Sequence, residues 1–405
     1  MPTFYNFREN GITYSFDDTF VPRDPLAEGQ LFTWGLGSVG TIGDNTTQAR
    51  STPKQEFTTD INWIKLANRS GENSFLAIKS NGTLWGWGNG ASGSLGDGST
   101  SLFRSTPRQE ATSSSNWIQV STSSHSAGIK GDGSLWTWGR NNYGQLGEGT
   151  SGSGTERSIP RQISLGASGI YGWERVECGG EHTIALRADG TLWAWGRNNN
   201  GQIGDNTTGT NRVTPRQISS GTGVGINGWT QVSAGINFSA ALRNDGTLWL
   251  WGENIFGQIG DNTIITKSIP TQEVTLSTNW KQVCCNFYTS AAVKTNGTLW
   301  CWGYNNYGQV GDNTILNRST PRQEFSASTN WKQVSTGVSH TAAVKTNGTL
   351  WVWGSNASGQ IGDNTSSGGV TGANSRSTPR QEFTAGTNWK QVACSSNSTS
   401  AIKYT

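Results

Sequence analysis

The chain has 405 residues, 32% hydrophobic and 14% charged, with 55 Gly and 20 Trp, and so many tryptophans exclude a disordered chain, because disordered segments are poor in aromatics. A net charge of +3, with 30 basic residues dispersed along the length, leaves no basic run for nucleic acid. No stretch approaches 18 apolar residues and no basic segment leads into an apolar run at the start, so neither a membrane insertion nor a secretory signal is expected.

Residues 1–29 are expected to form a unit of their own. Phe4, Tyr5 and Phe7 precede Asn10-Gly11, and Ile12, Tyr14 and Phe16 follow in strict alternation, which predicts a hairpin with a tight primed turn. Phe20 and two prolines, Pro22 and Pro25, then read as a linker. Phe4, Tyr5, Phe7, Tyr14, Phe16 and Phe20 need a partner surface, either the rest of this chain or another chain, and are the candidate anchoring residues.

From residue 30 to 405 one pattern recurs. Leu350-Trp351-Val352-Trp353-Gly354 has six earlier counterparts, beginning at Leu31, Leu84, Leu135, Leu192, Leu248 and Leu299, and the second tryptophans are spaced by 53, 51, 57, 56, 51 and 51 residues. A period of that size signals a propeller or solenoid. In an extended strand Trp351 and Trp353 share one face while Leu350 and Val352 share the other. Both faces are apolar, so both need cover, as in a small sheet held between two like it.

Each cycle reads as four strands. An Asn-Trp-Lys-Gln-Val strand (residues 330–334) is followed by a Ser/Thr/Ala-rich strand (340–345), then a turn such as Asn347-Gly348, the tryptophan strand, and a strand with Pro321-Arg322-Gln323 where proline suits an outer edge. The Asn-Gly and Asp-Gly pairs predict type I′ hairpins. Six such turns serve seven tryptophan strands. The missing one falls where residues 389–405 would meet residues 31–56, so the seventh blade is expected to be a composite that closes the ring. All 20 Trp fall on repeated positions, which makes them architecture and not a ligand cage.

Chemistry-bearing residues fall on the same repeat. Cys178, Cys285 and Cys394 each follow a strand valine by two residues, Cys284 and Cys301 are less regular, and the five read as structural thiols. His125, His182 and His340 share one repeated position and read as structural. The Gly-Asp-Asn-Thr turns (residues 43–46, 204–207, 260–263, 311–314 and 362–365) offer one carboxylate each, too few for a calcium loop, so side-chain capping is expected. No catalytic, cofactor-binding or metal site is assigned. What varies between copies is the segment after Trp-Gly, and Tyr143, Ile255, Phe256, Tyr304 and Tyr307 are the candidate binding-loop residues.

Seven cycles, the Trp-Gly strand end, the Gly-Gln-Ile-Gly-Asp-Asn that follows (residues 359–364) and the Gly-x-x-His before the second strand resemble the RCC1-repeat family over residues 30–405. The resemblance implies an all-β, seven-bladed β-propeller of four-stranded antiparallel blades with a composite closing blade. The family's founding activity is guanine-nucleotide exchange with chromatin binding. The basic tail that goes with it is absent here, none of the longer departures (139–173, 196–229 and 354–389) reads as an extra hairpin, and its exchange residues do not map.

The opening residues 10–21, Asn-Gly-x-x-Tyr-Ser-Phe-Asp-Asp-Thr-Phe-Val, resemble the start of RCC1-repeat virion proteins of tailed phages of marine cyanobacteria. The first expectation is therefore a non-enzymatic virion component, in tail, baseplate or capsid decoration. It would bind other virion proteins through residues 1–29 and present propeller loops to a protein or host surface receptor, with no cofactor. The second is an exchange factor or GTPase-interaction scaffold.

Overall fold

Leu350–Gly354 shows how the repeat becomes a propeller. Its leucine and valine pack with Trp34, Trp389 and Phe32 of the next blade, while Trp351 and Trp353 pack with Val293, Leu299, Cys301 and Trp331 on the other side. The strand has no solvent face. This computed structural model describes residues 6–9, 12–15, 28–69, 73–100, 103–164, 171–218, 227–366 and 374–404.

Blade 6 is the sheet Trp331–Thr336, His340–Lys345, Leu350–Gly354 and Arg376–Gln381, paired in that order and antiparallel throughout. Blades 1 to 5 begin at Trp63, Trp117, Trp173, Trp229 and Trp280 and repeat the same order. Blade 7 joins the two ends of the chain. Trp389–Cys394 and Ser398–Tyr404 supply the inner strands, Gly29–Gly35 and Arg50–Gln55 the outer ones, and Gly29 to Gly35 pairs residue by residue with Tyr404 to Ser398. The hydrophobic residues sort into seven clusters, each lying between two adjacent blades.

The second tryptophan of each repeat is fully buried, and its indole N–H donates to a backbone carbonyl of the preceding blade's loop. Trp353 reaches Gln309, Trp302 reaches Gln258, and Trp34 closes the ring on Gln360 at 3.0 Å. Burying such a ring is worth on the order of 5 kcal/mol gross against about 1 kcal/mol net for the hydrogen bond. Packing holds the blades together, and the bond fixes how each ring is oriented.

The hairpin turns are not type I′. Gly348 has φ +76°, but Asn347 and its counterparts are not among the residues with positive φ. Gly348 N–H bonds Lys345 O, and Lys345 N–H bonds Thr349 O, which is a type I turn followed by a left-handed glycine bulge. The asparagine is used for its side chain: Asn347 Oδ1 accepts from Thr349 N–H and hydroxyl at 3.2 and 2.8 Å.

Two features lie outside the seven four-stranded blades. Asn68–Arg69 forms a short strand parallel to Ser121–Thr122, tying blade 1 to blade 2. Asn6–Glu9 and Ile12–Ser15 pair as the expected hairpin, with Phe7 opposite Tyr14. Phe4, Tyr5, Phe16, Phe20 and the Asn10-Gly11 turn lie outside the described residues. The long connections of blades 2, 3 and 6 also include such residues (165–170, 219–226 and 367–373), and their described parts add no further strand.

Candidate interaction face

After the Trp-Gly strand ends of blades 2 to 6 the chain turns into Asn-x-x-Gly-Gln, and hydrogen bonds make this loop rigid. Asn305 is fully buried. Its Oδ1 accepts from Val310 N–H at 2.8 Å, and its Nδ2 donates to the carbonyls of Thr314 and Leu316 at 3.1 and 3.0 Å. Gln309 Oε1 accepts from Tyr307 N–H at 3.0 Å. Asn141, Asn198, Asn254 and Asn356 are buried in the same way. On blades 2 to 6 the frame is therefore constant, and the residues between and beside its Asn and Gln vary.

On blades 4 and 5 aromatic residues of this loop and of a neighbouring connection meet. Phe256 lies 4.9 Å from Tyr304 and 5.0 Å from Tyr288, Tyr304 lies 6.3 Å from Tyr307, and Tyr288 lies 4.4 Å from Phe287. The rings meet at interplanar angles of 57 to 71°, the tilted contacts that ring quadrupoles favour. All five are half-buried, and the neighbouring Ile255 is 50% exposed. Burial, with the Glu253 carboxylate nearby, pushes the Tyr288 hydroxyl pKa up; burial, with Tyr307 beside it, does so for Tyr304. Both phenols stay neutral at ordinary pH.

Of the five candidate loop residues, Ile255, Phe256, Tyr304 and Tyr307 thus fall on two adjacent blades. Tyr143 lies apart on blade 2, under the Arg197 guanidinium at 5.0 Å. Arg197 in turn pairs with Glu181 at 2.7 Å. Phe287 and Tyr288 were missed because they lie in the connection between the first and second strands. The signal was present, since Asn286-Phe287-Tyr288 stands where blade 3 has Gly179-Gly180-Glu181.

Phe287 has φ +39°, a backbone region that a bulky side chain seldom occupies. Its carbonyl accepts from Ile236 N–H of blade 4 at 3.2 Å, and the Tyr288 carbonyl accepts from Tyr304 N–H at 2.9 Å. Strain held in this way gathers at functional sites. The cluster is assembled at a conformational cost on a frame that does not need aromatics, since blade 6 builds it with Ala357 and Ser358.

The other chemistry-bearing residues are committed to the architecture. His125, His182 and His340 are buried and meet the hydroxyls of Thr183, Ser239 and Thr399 through Nε2 at 2.7, 2.9 and 3.0 Å. Burial draws His125 and His182 down to about 3, with the neighbouring His182 adding to the shift at His125. None of the five cysteines forms a disulfide, and burial raises the thiols of Cys178, Cys284, Cys285 and Cys301. The turn aspartates are occupied. Asp205 Oδ1 accepts from Thr207 N–H at 3.2 Å and from its hydroxyl, and Oδ2 accepts from Arg212 Nε at 2.7 Å. Burial alone would raise the Asp205 carboxyl, yet these bonds and the Arg212 and Arg216 charges hold it below its usual value. An arginine stands where a metal would. Among the described residues no group of three His, Cys, Asp or Glu is placed to hold a metal ion, and no helix is long and apolar enough to cross a membrane.

The family model for the RCC1-like domain matches residues 104–405. The ultraviolet-B receptor UVR8 of Arabidopsis thaliana is 31% identical over 335 residues, covering 81% of this chain and 73% of that protein. The E3 ubiquitin-protein ligase HERC2 of Homo sapiens is 29% identical over 314 residues, which are 73% of this chain and 6% of that protein. Among solved structures, Prp20p from Saccharomyces cerevisiae superposes with a TM-score of 0.78 at 20% identity, covering 93% of this chain and 92% of that one. That likeness is one of fold.

Proposed function

The chain belongs to the RCC1-like propeller family, and from that premise we propose that it is a non-enzymatic binding protein whose loop face on blades 4 and 5 meets a protein partner. The observation that carries this reading is the half-buried aromatic cluster, with Phe287 held at φ +39°. Aromatic residues on a rigid frame lose little entropy on binding and supply most of the energy of typical protein interfaces.

The finer reading is a virion component attached through residues 1–29, with the loop face turned to a protein or host surface. Its support is the opening sequence, residues 10–21, and the aromatic hairpin that carries it. A second reading, a GTPase-binding scaffold, is favoured by one finding: Prp20p, which shares the fold, has binding properties to Gsp1p and histones. Mass spectrometry of purified particles from the source separates the two. This chain at a fixed ratio to the major capsid and tail proteins supports the virion reading. Its absence from particles, with acceleration of nucleotide release from a small GTPase of the source, supports the second.

A further inference from the structure

The innermost strands carry a belt of glutamines. At the position paired with Ile129, Leu242, Val293, Val344 and Ile402 of the second strands stand Gln119, Gln231, Gln282, Gln333 and Gln391. Each reaches the inner strand of the next blade. Gln333 Oε1 accepts from Val392 N–H at 3.0 Å while its Nε2 donates to Val392 O at 3.2 Å, and Gln391 grips Leu66 in the same way across the closing seam. A side chain that bonds both an N–H and a carbonyl must offer both an acceptor and a donor, as glutamine does.

Two blades break the belt. The same register position holds Lys65 on blade 1, opposite Ile78, and Arg175 on blade 3, opposite Leu186. Neither side chain has an acceptor, so neither can take the neighbouring N–H. Among the described residues the Lys65 side chain makes no hydrogen bond or ion pair. It is only half-buried although it sits on an innermost strand, so it faces the central channel. Arg175 holds the same register position on the innermost strand of blade 3, and Asn68–Arg69, just past Lys65, comes within 8 Å of Trp173–Cys178 between Cα atoms, so the two strands approach each other and Lys65 feels the charges of Arg175 and Glu177. Glu177 accepts from the Ser121 hydroxyl at 3.1 Å.

A half-buried ammonium that makes no hydrogen bond and lies near a second cation favours an added anion, and a walled channel focuses its field. Burial and the Arg175 charge, partly offset by Glu177, draw Lys65 down to about 8, so it remains mostly charged at neutral pH. We propose that the central channel binds a small oxyanion of the phosphate class between the Lys65 ammonium and the Arg175 guanidinium.

The glutamine belt supplies the control, because Lys65→Gln and Arg175→Gln install the residue that the other five blades already use. Thermal unfolding of the full chain is followed with inorganic phosphate up to roughly 50 mM, at ionic strength held constant with sodium chloride. The wild type should gain Tm saturably. The double variant should show no gain, while its Tm without phosphate equals or exceeds that of the wild type. Mass-spectrometric mapping of lysine acylation on the wild type is a second readout that needs no variant: phosphate should protect Lys65 and leave exposed lysines such as Lys281 unaffected. An equal phosphate shift in wild type and double variant, or labelling of Lys65 that phosphate does not change, would overturn the proposal.

Discussion

Glu324 is buried at 1% exposure, and its carboxylate accepts from Ser326 N–H, Ser326 hydroxyl, Ser328 N–H and the Trp331 indole at 2.7, 2.7, 2.8 and 3.1 Å. Glu56, Glu110, Glu273 and Glu382 serve Trp63, Trp117, Trp280 and Trp389 in the same way. On blades 3 and 4 the residue ahead of the tryptophan is Ile163 or Ile218 and the connection lengthens from seven residues to ten or eleven. There the Trp173 indole N–H has no partner among the described residues. Glu324→Leu would strand four donors at once and should cost on the order of 3 kcal/mol, read as a lower urea midpoint at unchanged slope. Glu324→Gln should cost less, because one carbonyl oxygen remains. An unchanged midpoint for Glu324→Leu would mean that water replaces the carboxylate. This glutamate was legible only as a spacing, seven residues before tryptophan in five of the seven repeats. Burial of a charge cannot be read from a Pro-Arg-Gln edge strand.

The histidines allow a second test at this scale. His182 has a folded pKa of about 3, below its ordinary 6.5, so the unfolded chain binds a proton that the native state does not between those values. The stability this confers is fully present above pH 6.5 and is lost as pH falls towards 3, by at most about 1.4 kcal/mol per pH unit. Phe238 occupies the equivalent position on blade 4, beside Gly235 as His182 is beside Gly179. His182→Phe should therefore keep the neutral-pH stability and flatten the acid limb by one proton. A variant with the wild-type acid slope would show that His182 titrates normally in the fold.

At the scale of elements, the Gly-Asp-Asn-Thr turn shows which parts of a motif have a physical cause. Asn45, Asn206, Asn262, Asn313 and Asn364 have φ between 63 and 65°, and where the residue changes it becomes Gly98 or Gly149 at 81 and 82°. Asparagine and glycine are the residues that tolerate this conformation. The glycine two residues earlier has a different duty. A Cβ on Gly362 would lie 2.6 Å from Trp34 Nε1, across the seam that closes the ring. Gly362→Ala combines that clash with φ +74° and should cost on the order of 3 kcal/mol. Gly209→Ala is the matched control, with φ +76° and nothing within 4 Å, and should lose about 1 kcal/mol. Equal losses at the two sites would show that only the backbone conformation matters. The strand pattern itself was legible because tryptophan and leucine alternate on both faces. The turn type was not, since Asn-Gly satisfies both a type I′ turn and a type I turn with a bulge, and the choice depends on the threonine that the asparagine caps.

For the whole molecule, closure was legible from an inventory: seven tryptophan strands, six turns, and chain ends that complement one another. The pairing of Gly29–Gly35 with Ser398–Tyr404 is that closure in atomic terms. Cutting the chain after Glu28 leaves every strand of blade 7 in place, so removal of residues 1–28 should shift Tm by no more than a few degrees. A deletant that fails to fold would place the hairpin within the core and remove the basis for treating it as an anchor. The candidate interaction face was only partly legible. Variation after Trp-Gly pointed to Phe256, Tyr304 and Tyr307, but Phe287 and Tyr288 reach them from a different connection, and only the folded blade brings the two together. Lys65 and Arg175 were invisible for a related reason, since a break in a belt of glutamines has meaning only once the belt is seen.

The claim that the aromatic end of blades 4 and 5 is where this protein meets its partner is tested most directly by site-specific photo-crosslinking. Benzophenone side chains at Tyr304 and Phe256 are compared with one at Asn347, in the hairpin turn at the opposite end of a blade, in particles or extracts of the source. The account predicts one crosslinked partner band from Tyr304 and Phe256, and none from Asn347. It also predicts that the band disappears when Tyr288→Ala and Tyr307→Ala are introduced at unchanged Tm. Crosslinking from Asn347 with none from Tyr304 or Phe256 would contradict it.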